Sequence, residues 1–350
     1  MNLLELPSEL LLYVLEYVGA SFFRDDLDRL TICKRWYHLA HVVFETDIKL
    51  PTRAMTRLVT YPALSTKLQL FKHSLKTLSI ELSGFNDWEC ISASTLEDGD
   101  DRLYLDRWTR ELNKNLLKLA AHIRGNRNLR TLRFTAWSEY NADVPILVHR
   151  DYLHEDTISS FLSLDNLAVL ELDTCGSSFI PSGERQSQSR YQSHICPHIA
   201  ALLPRLHRLH LRMREICPLA LQPGDKDVPY LKTVIVNLSL SNEPSGKKSV
   251  HHSMKCDVGL SRQNLVVLME REVVSLAARM TSPAIVRIIT DISAGPIDSG
   301  VYLQSLDVLT GALRPLKPAM GVAWDDYGEI DKHMRLDSDP FDDPSSDADN

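Results

Sequence analysis

Five short stretches share one spacing of apolar residues: LKTLSIEL from Leu75, LRTLRF from Leu129, LAVLELDTC from Leu167, LHRLHLRM from Leu206 and LKTVIVNL from Leu231. Each reads Leu-x-x-Leu-x-aliphatic or aromatic, with Val234 replacing the second Leu in the last. The alternating pair at the end, Leu132 with Phe134 or Leu170 with Leu172, puts two side chains on one face of a strand. Helical spacing precedes several of them. RELNKNLLKLAAHIRG from Arg110 sets Leu112, Leu116, Leu119 and Ile123 on one side, TISSFLSL from Thr157 leads into the third stretch, and HICPHIAALLPRL from His194 leads into the fourth. A chain that alternates helix and strand in this way predicts an α/β fold.

The ladder resembles a leucine-rich repeat, most clearly at Leu167 to Cys175, where Cys175 falls at the Asn/Cys position. The separations are 54, 38, 39 and 25 residues, whereas regular repeats run about 20–29. The resemblance therefore implies an irregular solenoid of parallel strands with helices behind and uneven loops between. An ordinary α/β layer with crossovers is the competing fold. Three polar segments interrupt the pattern. Phe85 to Asp101 carries six acids and no base, Pro181 to Ser193 is polar and low in complexity, and Ser241 to Ser261 separates the ladder from the rest. They are expected to be mobile insertions, or target contacts presented by a rigid scaffold. Beyond them, Ser261 to Met280 has the apolar spacing of an amphipathic helix, PAIVRIIT predicts a buried strand, and VYLQSLDVLTGALRPL predicts a strand with a turn at Thr310-Gly311.

The amino-terminal segment is too apolar for its length. From Leu6 to Val18 the spacing predicts a helix with Pro7 in its first turn and Gly19 as its stop. Leu10, Val14 and Val18 make one stripe, Leu11 and Leu15 the next, and Leu12 and Tyr13 widen the surface further. Leu27 and Leu30 follow at spacing three, and Ile32, Trp36, Leu39 and Ala40 are expected on one face. About 45 residues cannot bury all of this internally, so the segment is expected to be completed by another chain.

These residues resemble the F-box: Leu6-Pro7-Ser8-Glu9-Leu10-Leu11, Val14-Leu15, Asp26-Leu27, Leu30, then Ile32-Cys33-Lys34-Arg35-Trp36 and Leu39-Ala40. The link GASFFR from Gly19 departs from the family's short polar turn. The resemblance implies docking to a Skp adaptor and, through it, a cullin-based ubiquitin ligase. Leu6, Pro7, Leu10, Val14, Leu15, Leu27, Leu30, Ile32 and Trp36 would meet the adaptor or hold the helices that do. Near the other end, Asp307 with Leu309-Thr310-Gly311, then Trp324-Asp325-Asp326-Tyr327-Gly328-Glu329, is similar to endings of fungal F-box proteins. Trp324 is expected to be buried against the last strands.

Other chemistry is not indicated. There is no GxGxxG, P-loop, GxSxG or HExxH pattern, so no catalytic residues and no cofactor are expected. His194, Cys196 and His198, with His207 and His210, and separately His251, His252 and Cys256, bring metal-ligating side chains together in sequence. Pro197 and the helical spacing argue against convergence of the first set, so no metal is expected. The six cysteines are scattered without a CxxC pair, which suits thiols in a reducing compartment, cytoplasm or nucleus. The net charge of −7 sits largely in the Asp-rich stretch from Asp337, leaving a nearly neutral body without the basic stripe of a nucleic-acid binder. No basic region precedes the apolar start and no run is long enough to span a bilayer, so neither a signal peptide nor membrane insertion is expected.

The expected layout is an F-box over 1–45, a leucine-rich-repeat-like domain over 46–240, a flexible loop over 241–260, a cap of the same solenoid over 261–335 and a disordered acidic tail over 336–350. Its expected role is the substrate-recognition subunit of a Skp–cullin–F-box ubiquitin ligase, holding an unidentified protein target. A non-ligase scaffold bound to the same adaptor is the alternative.

Overall fold

Every ladder stretch is a strand, and its three apolar positions are buried ones. In the computed structural model, which describes residues 3–60, 74–85, 99–137, 151–180, 194–240, 251–252, 262–293, 301–316 and 324, the five are β2 (Thr77–Leu82), β3 (Thr131–Ala136), β5 (Val169–Thr174), β7 (Arg208–Met213) and β9 (Thr233–Asn237). The leading leucines, Leu75, Leu129, Leu167, Leu206 and Leu231, lie before their strands and are buried beneath them. The two later positions alternate into the same core.

These strands are parallel neighbours in a mixed sheet, apart from which β4 (Leu153–His154) pairs with β6 (Phe179–Ile180). Among the described residues its order is β1-β2-β3-β5-β7-β9-β11-β12-β13, with β1 at Asp47–Pro51, β11 at Ile285–Ser293, β12 at Val301–Asp307 and β13 at Leu313–Leu316. Pairing is parallel from β1 to β11, and antiparallel from β11 to β12 and from β12 to β13. The same hydrogen-bond pattern starts strand after strand. The carbonyl of Lys76 accepts from the N–H groups of Arg130 and Thr131, that of Arg130 from Ala168 and Val169, and that of Ala168 from His207 and Arg208; His207 and Lys232 continue the series. Uneven connections therefore deliver the chain to the same register each time, because the buried leading leucine and this forked bond fix where each strand begins.

Helices cover one face. They are α5 (Gly99–Ile123), α6 (Glu155–Leu162), α7 (Cys196–Leu202) and α8 (Arg262–Ala278), after α4 (Thr52–Thr60). Leu116, Phe161, Ile199 and Met269 from these helices join Leu78, Phe134, Leu172 and Leu211 from the sheet in one apolar cluster. Each such side chain contributes on the order of 1.5–3 kcal/mol on burial. Asn113 of α5 is buried in this layer and fully used: its Nδ2 donates to the carbonyls of Thr109 and Tyr152, at 2.8 and 2.7 Å, and its Oδ1 accepts from His154 N and Thr157 Oγ1, at 2.8 and 2.9 Å.

The amino-terminal segment is a separate helical cluster comprising α1 (Ser8–Val18), α2 (Ala20–Asp25), a turn at Leu27–Leu30 and α3 (Lys34–Thr46). Its core is Leu11, Leu15, Phe23, Leu30, Trp36, Ala40 and Val43. The last residue of α3, Thr46, is followed directly by β1, so no linker separates helices from sheet.

Several expectations are corrected. Pro7 precedes the first helix as its cap, with its carbonyl accepting from Leu11 N, and does not lie inside the first turn. Gly19 does end that helix, at φ 84°, but GASFFR is no link: α2 starts at once and drives Phe23 into the core. Ile32 stands outside α3 and is exposed, so it does not share the face of Trp36. The acidic segment ending at Asp101 already contains the start of α5. The expected loop over 241–260 contains a two-residue strand, β10 (His251–His252), paired with β8 (Glu215–Ile216). The rest of that loop, residues 181–193, the acidic tail and most of the WDDYGE stretch lie outside the described residues.

Candidate functional site

The amino-terminal cluster carries apolar side chains on two faces of α1. Leu11 and Leu15 point into the cluster core, with Leu6 and Leu12 packed partly against it. One helical step around, Leu10, Tyr13, Val14 and Tyr17 form a second stripe at spacings of three and four. That stripe is open: Leu10 is 54% exposed, Tyr13 70% and Tyr17 89%, while Val14 is half-buried. Leu27 and Ile32 are also exposed, each by more than half. Of the residues expected to meet a partner or hold the helices that do, Pro7, Leu10, Leu27 and Ile32 are exposed, Leu6 and Val14 are half-buried, and Leu15, Leu30 and Trp36 are internal.

The internal ones hold the shape. Trp36 packs edge-on against Phe23, and its Nε1 donates to the carbonyl of Arg29 at 2.6 Å. Arg29 in turn donates to the Phe22 carbonyl and lies over the Phe22 ring, 4.4 Å from its centroid. Cys33 caps α3 through Sγ, which accepts from Trp36 N at 3.4 Å. Arg35, a residue that apolar patterning passes over, donates to the carbonyls of Leu4 and Leu6 and so pins the strand of chain that enters α1. The cluster is fastened to the sheet by Arg24, which reaches both the carbonyl and the carboxylate of Asp47 at 2.9 and 3.1 Å, and by a Glu16–Lys76 ion pair.

A second candidate surface is the sheet face away from the helices. Strand register aligns Lys49, Ser79, Arg133, Glu171, His210, Ile235 and Arg287 in one row, and Glu81, Thr135, Asp173, Arg212 and Asn237 in the next. Opposite charges meet across it: Lys49–Glu81 at 2.7 Å, Arg133–Glu171 at 2.9 Å, and Arg212–Asp173 through two bonds. Toward the carboxy-terminal strands the row becomes covered. Trp324 packs on Ile235, Ile289 and Leu303, with its ring 5.0 Å from that of His210. The expectation for Trp324 thus agrees with its placement against the last strands, although it remains half-buried. Burial first, then Arg208 and Arg133, push the His210 pKa down to about 3, and neither ring nitrogen has a hydrogen-bond partner among the described residues. His210 is a neutral imidazole at ordinary pH.

Sequence patterning did not single out these charged rows. The signal was present: the residue between the last two apolar positions of successive ladders is Arg133, Glu171 and His210, and the one after them is Thr135, Asp173 and Arg212. Only register turns that into neighbouring pairs.

The histidine and cysteine set separates. His198 is exposed on α7, His207 stacks on Tyr230, and His210 lies in the sheet. His194 and Cys196 meet a residue outside the set, Cys217. No described helix is long and apolar enough to cross a membrane. The chain matches no protein-family model and no curated protein.

Proposed function

We propose that the chain is the substrate-recognition subunit of a Skp–cullin–F-box ubiquitin ligase. In this reading the amino-terminal cluster is the F-box and the sheet domain is a degenerate leucine-rich-repeat solenoid. The observation that carries the proposal is the second apolar stripe of α1. The cluster has a completed core of its own, yet Leu10, Tyr13 and Tyr17 remain in solvent beside the exposed Leu27 and Ile32. Exposed apolar area of this kind marks a docking surface, and the ordered Leu-Pro to Trp pattern gives it an occupant, the Skp adaptor.

The sequential order of parallel strands, each entered over a buried leucine, supports the repeat reading of the sheet domain. The chain then carries no chemistry of its own. It acts by proximity, raising the concentration of a bound protein target near the ubiquitin donor. The direct passage from α3 into β1 and the Arg24–Asp47 contacts suit that task, since they hold the docking cluster and the sheet as one piece. The open end of the charged rows, Lys49, Glu81 and Arg133, is the surface offered to the target.

Co-expression with a Skp adaptor followed by size-exclusion chromatography tests the proposal. A stable one-to-one complex is expected. A well-behaved monomer that ignores the adaptor would overturn it. The alternative, an adaptor-bound scaffold without target turnover, is separated by protein abundance in cells lacking the chain. A ligase receptor leaves at least one captured protein elevated, and a scaffold leaves none.

A further inference from the structure

We infer that His194, Cys196 and Cys217 form a zinc site that clips two successive strand–helix connections together. The three ligand atoms all lie within 4.8 Å of one another, and His194 Nε2 is 3.1 Å from Cys217 Sγ. Tetrahedral zinc, with bonds of about 2.3 Å to sulfur and 2.0–2.1 Å to nitrogen, sets its ligand atoms about 3.5–3.8 Å apart. An ion of that size fits this triangle with small adjustments.

The two segments are built alike. Cys196 opens α7 and is followed by Pro197; Cys217 precedes the helical turn Pro218–Leu221. Proline in the first turn of a helix fixes the backbone there, so each sulfur is carried on a stiffened corner. The two helical turns pack against each other, which brings residues 21 apart in sequence to one point.

The charges suit the place. Cys196 and Cys217 are fully buried, while His194 is half-buried. A dication with two thiolates and a neutral imidazole is a neutral unit, which burial tolerates far better than a bare charge. Loading the site releases two protons, one from each thiol, and oxidises nothing. A fourth ligand completes the tetrahedron. The mixed sulfur and nitrogen donors favour zinc over magnesium or calcium, which take oxygen.

The experiment uses the full chain, stripped by chelator under reducing conditions and titrated with zinc against a chromophoric competitor. One zinc per chain is expected, with a raised thermal midpoint. Cobalt(II) in its place should show thiolate charge-transfer bands and intense tetrahedral bands. His194→Ala, at the least buried ligand, should weaken zinc by more than the roughly 10–100-fold typical of outer-shell partners and abolish the thermal shift. Cys217→Ser should do the same if it folds, and His194→Ala decides if it does not. His198→Ala, exposed on the same helix, should bind as the parent does. The site is overturned by a chain that retains no zinc, by cobalt spectra without thiolate bands, or by equal affinity in the parent and His194→Ala. In any of these cases the three side chains are only a thiol–imidazole hydrogen-bonded group. Adaptor binding enters none of these readouts.

Discussion

Arg212 and Asp173 stand directly opposite each other on adjacent strands and share two bonds, Nε to Oδ1 at 2.9 Å and Nη2 to Oδ2 at 2.5 Å. Both are buried, and the guanidinium also lies 5.1 Å from the centre of the Trp137 ring. Burial works against the charged guanidinium, but the neighbouring carboxylate and its hydrogen bonds outweigh it, so the Arg212 pKa rises. Asp173→Ala would leave that charge uncompensated, and a loss on the order of 3–5 kcal/mol is expected. Replacing both partners by apolar residues, Asp173→Leu with Arg212→Met, should recover most of it. Urea midpoints of the two single variants and the double variant measure this. An Asp173→Ala chain as stable as the parent would count against a buried ion pair.

His210 gives the fold a defined acid sensitivity. Its folded pKa is about 3, set by burial first and then by Arg208 and Arg133, against an ordinary 6.5. Glu171 Oε1 is 4.0 Å from Nδ1, too far to hold a proton there. Between those two values the unfolded chain binds the proton and the folded chain does not, so stability falls as pH falls from 6.5 toward 3. Above 6.5 the group contributes no slope. His210→Leu, which removes the titration and two nitrogens without a hydrogen bond among the described residues, should flatten this part of the profile. Unfolding free energies measured from pH 7 to 4 check it, and an unchanged slope would show that other groups dominate.

The ladder was legible because each of its leucines does one physical job. The first anchors the chain before the strand, and the two later ones alternate into the core. β1 escaped notice because DIKLP has only two apolar residues and follows α3 without a turn signal. GASFFR was misread because Gly19 ends one helix without preventing another from starting at Ala20. The open stripe of α1 was half legible. Spacing showed that α1 has two apolar faces, but not that Leu11 and Leu15 would be the inward pair and Leu10 and Tyr17 the outward one. The charged rows and the Cys196–Cys217 approach were not legible, since each depends on segments far apart in sequence that only strand register and helix stacking bring together.

Asn113 ties α5 to the segment Tyr152–Thr157 through three hydrogen bonds, one donated and two accepted, and donates a fourth back to Thr109 within the helix. No water is needed to satisfy it. Asn113→Ala would strip partners from buried groups on both sides, and a loss on the order of 3 kcal/mol is expected. Asn113→Asp keeps the acceptor but loses both donated bonds, so it should be destabilised as well. Differential scanning calorimetry of the three chains tests this. A midpoint within experimental error of the parent for Asn113→Ala would mean that the network closes without it.

The open stripe and the internal packing of the amino-terminal cluster are separable by two substitutions. Leu10 is exposed and touches nothing the core needs, whereas Trp36 is internal, packed on Phe23 and bonded to the Arg29 carbonyl. Under the proposed function, Leu10→Asp places a charge in an apolar contact. It should weaken adaptor binding by about 3 kcal/mol, or more than a hundredfold, without loss of helix. Trp36→Ala also loses binding, but through the cluster itself, since removing a buried aromatic costs about 3–5 kcal/mol. Its helical signal at 222 nm should fall while the sheet domain melts at its usual temperature. Titration calorimetry with the adaptor, beside circular dichroism of each variant, reads both effects. Equal adaptor affinity in the parent and Leu10→Asp would remove the open stripe of α1 from the contact. Full helicity in Trp36→Ala would show that Trp36 acts by touching the partner rather than by holding the helices.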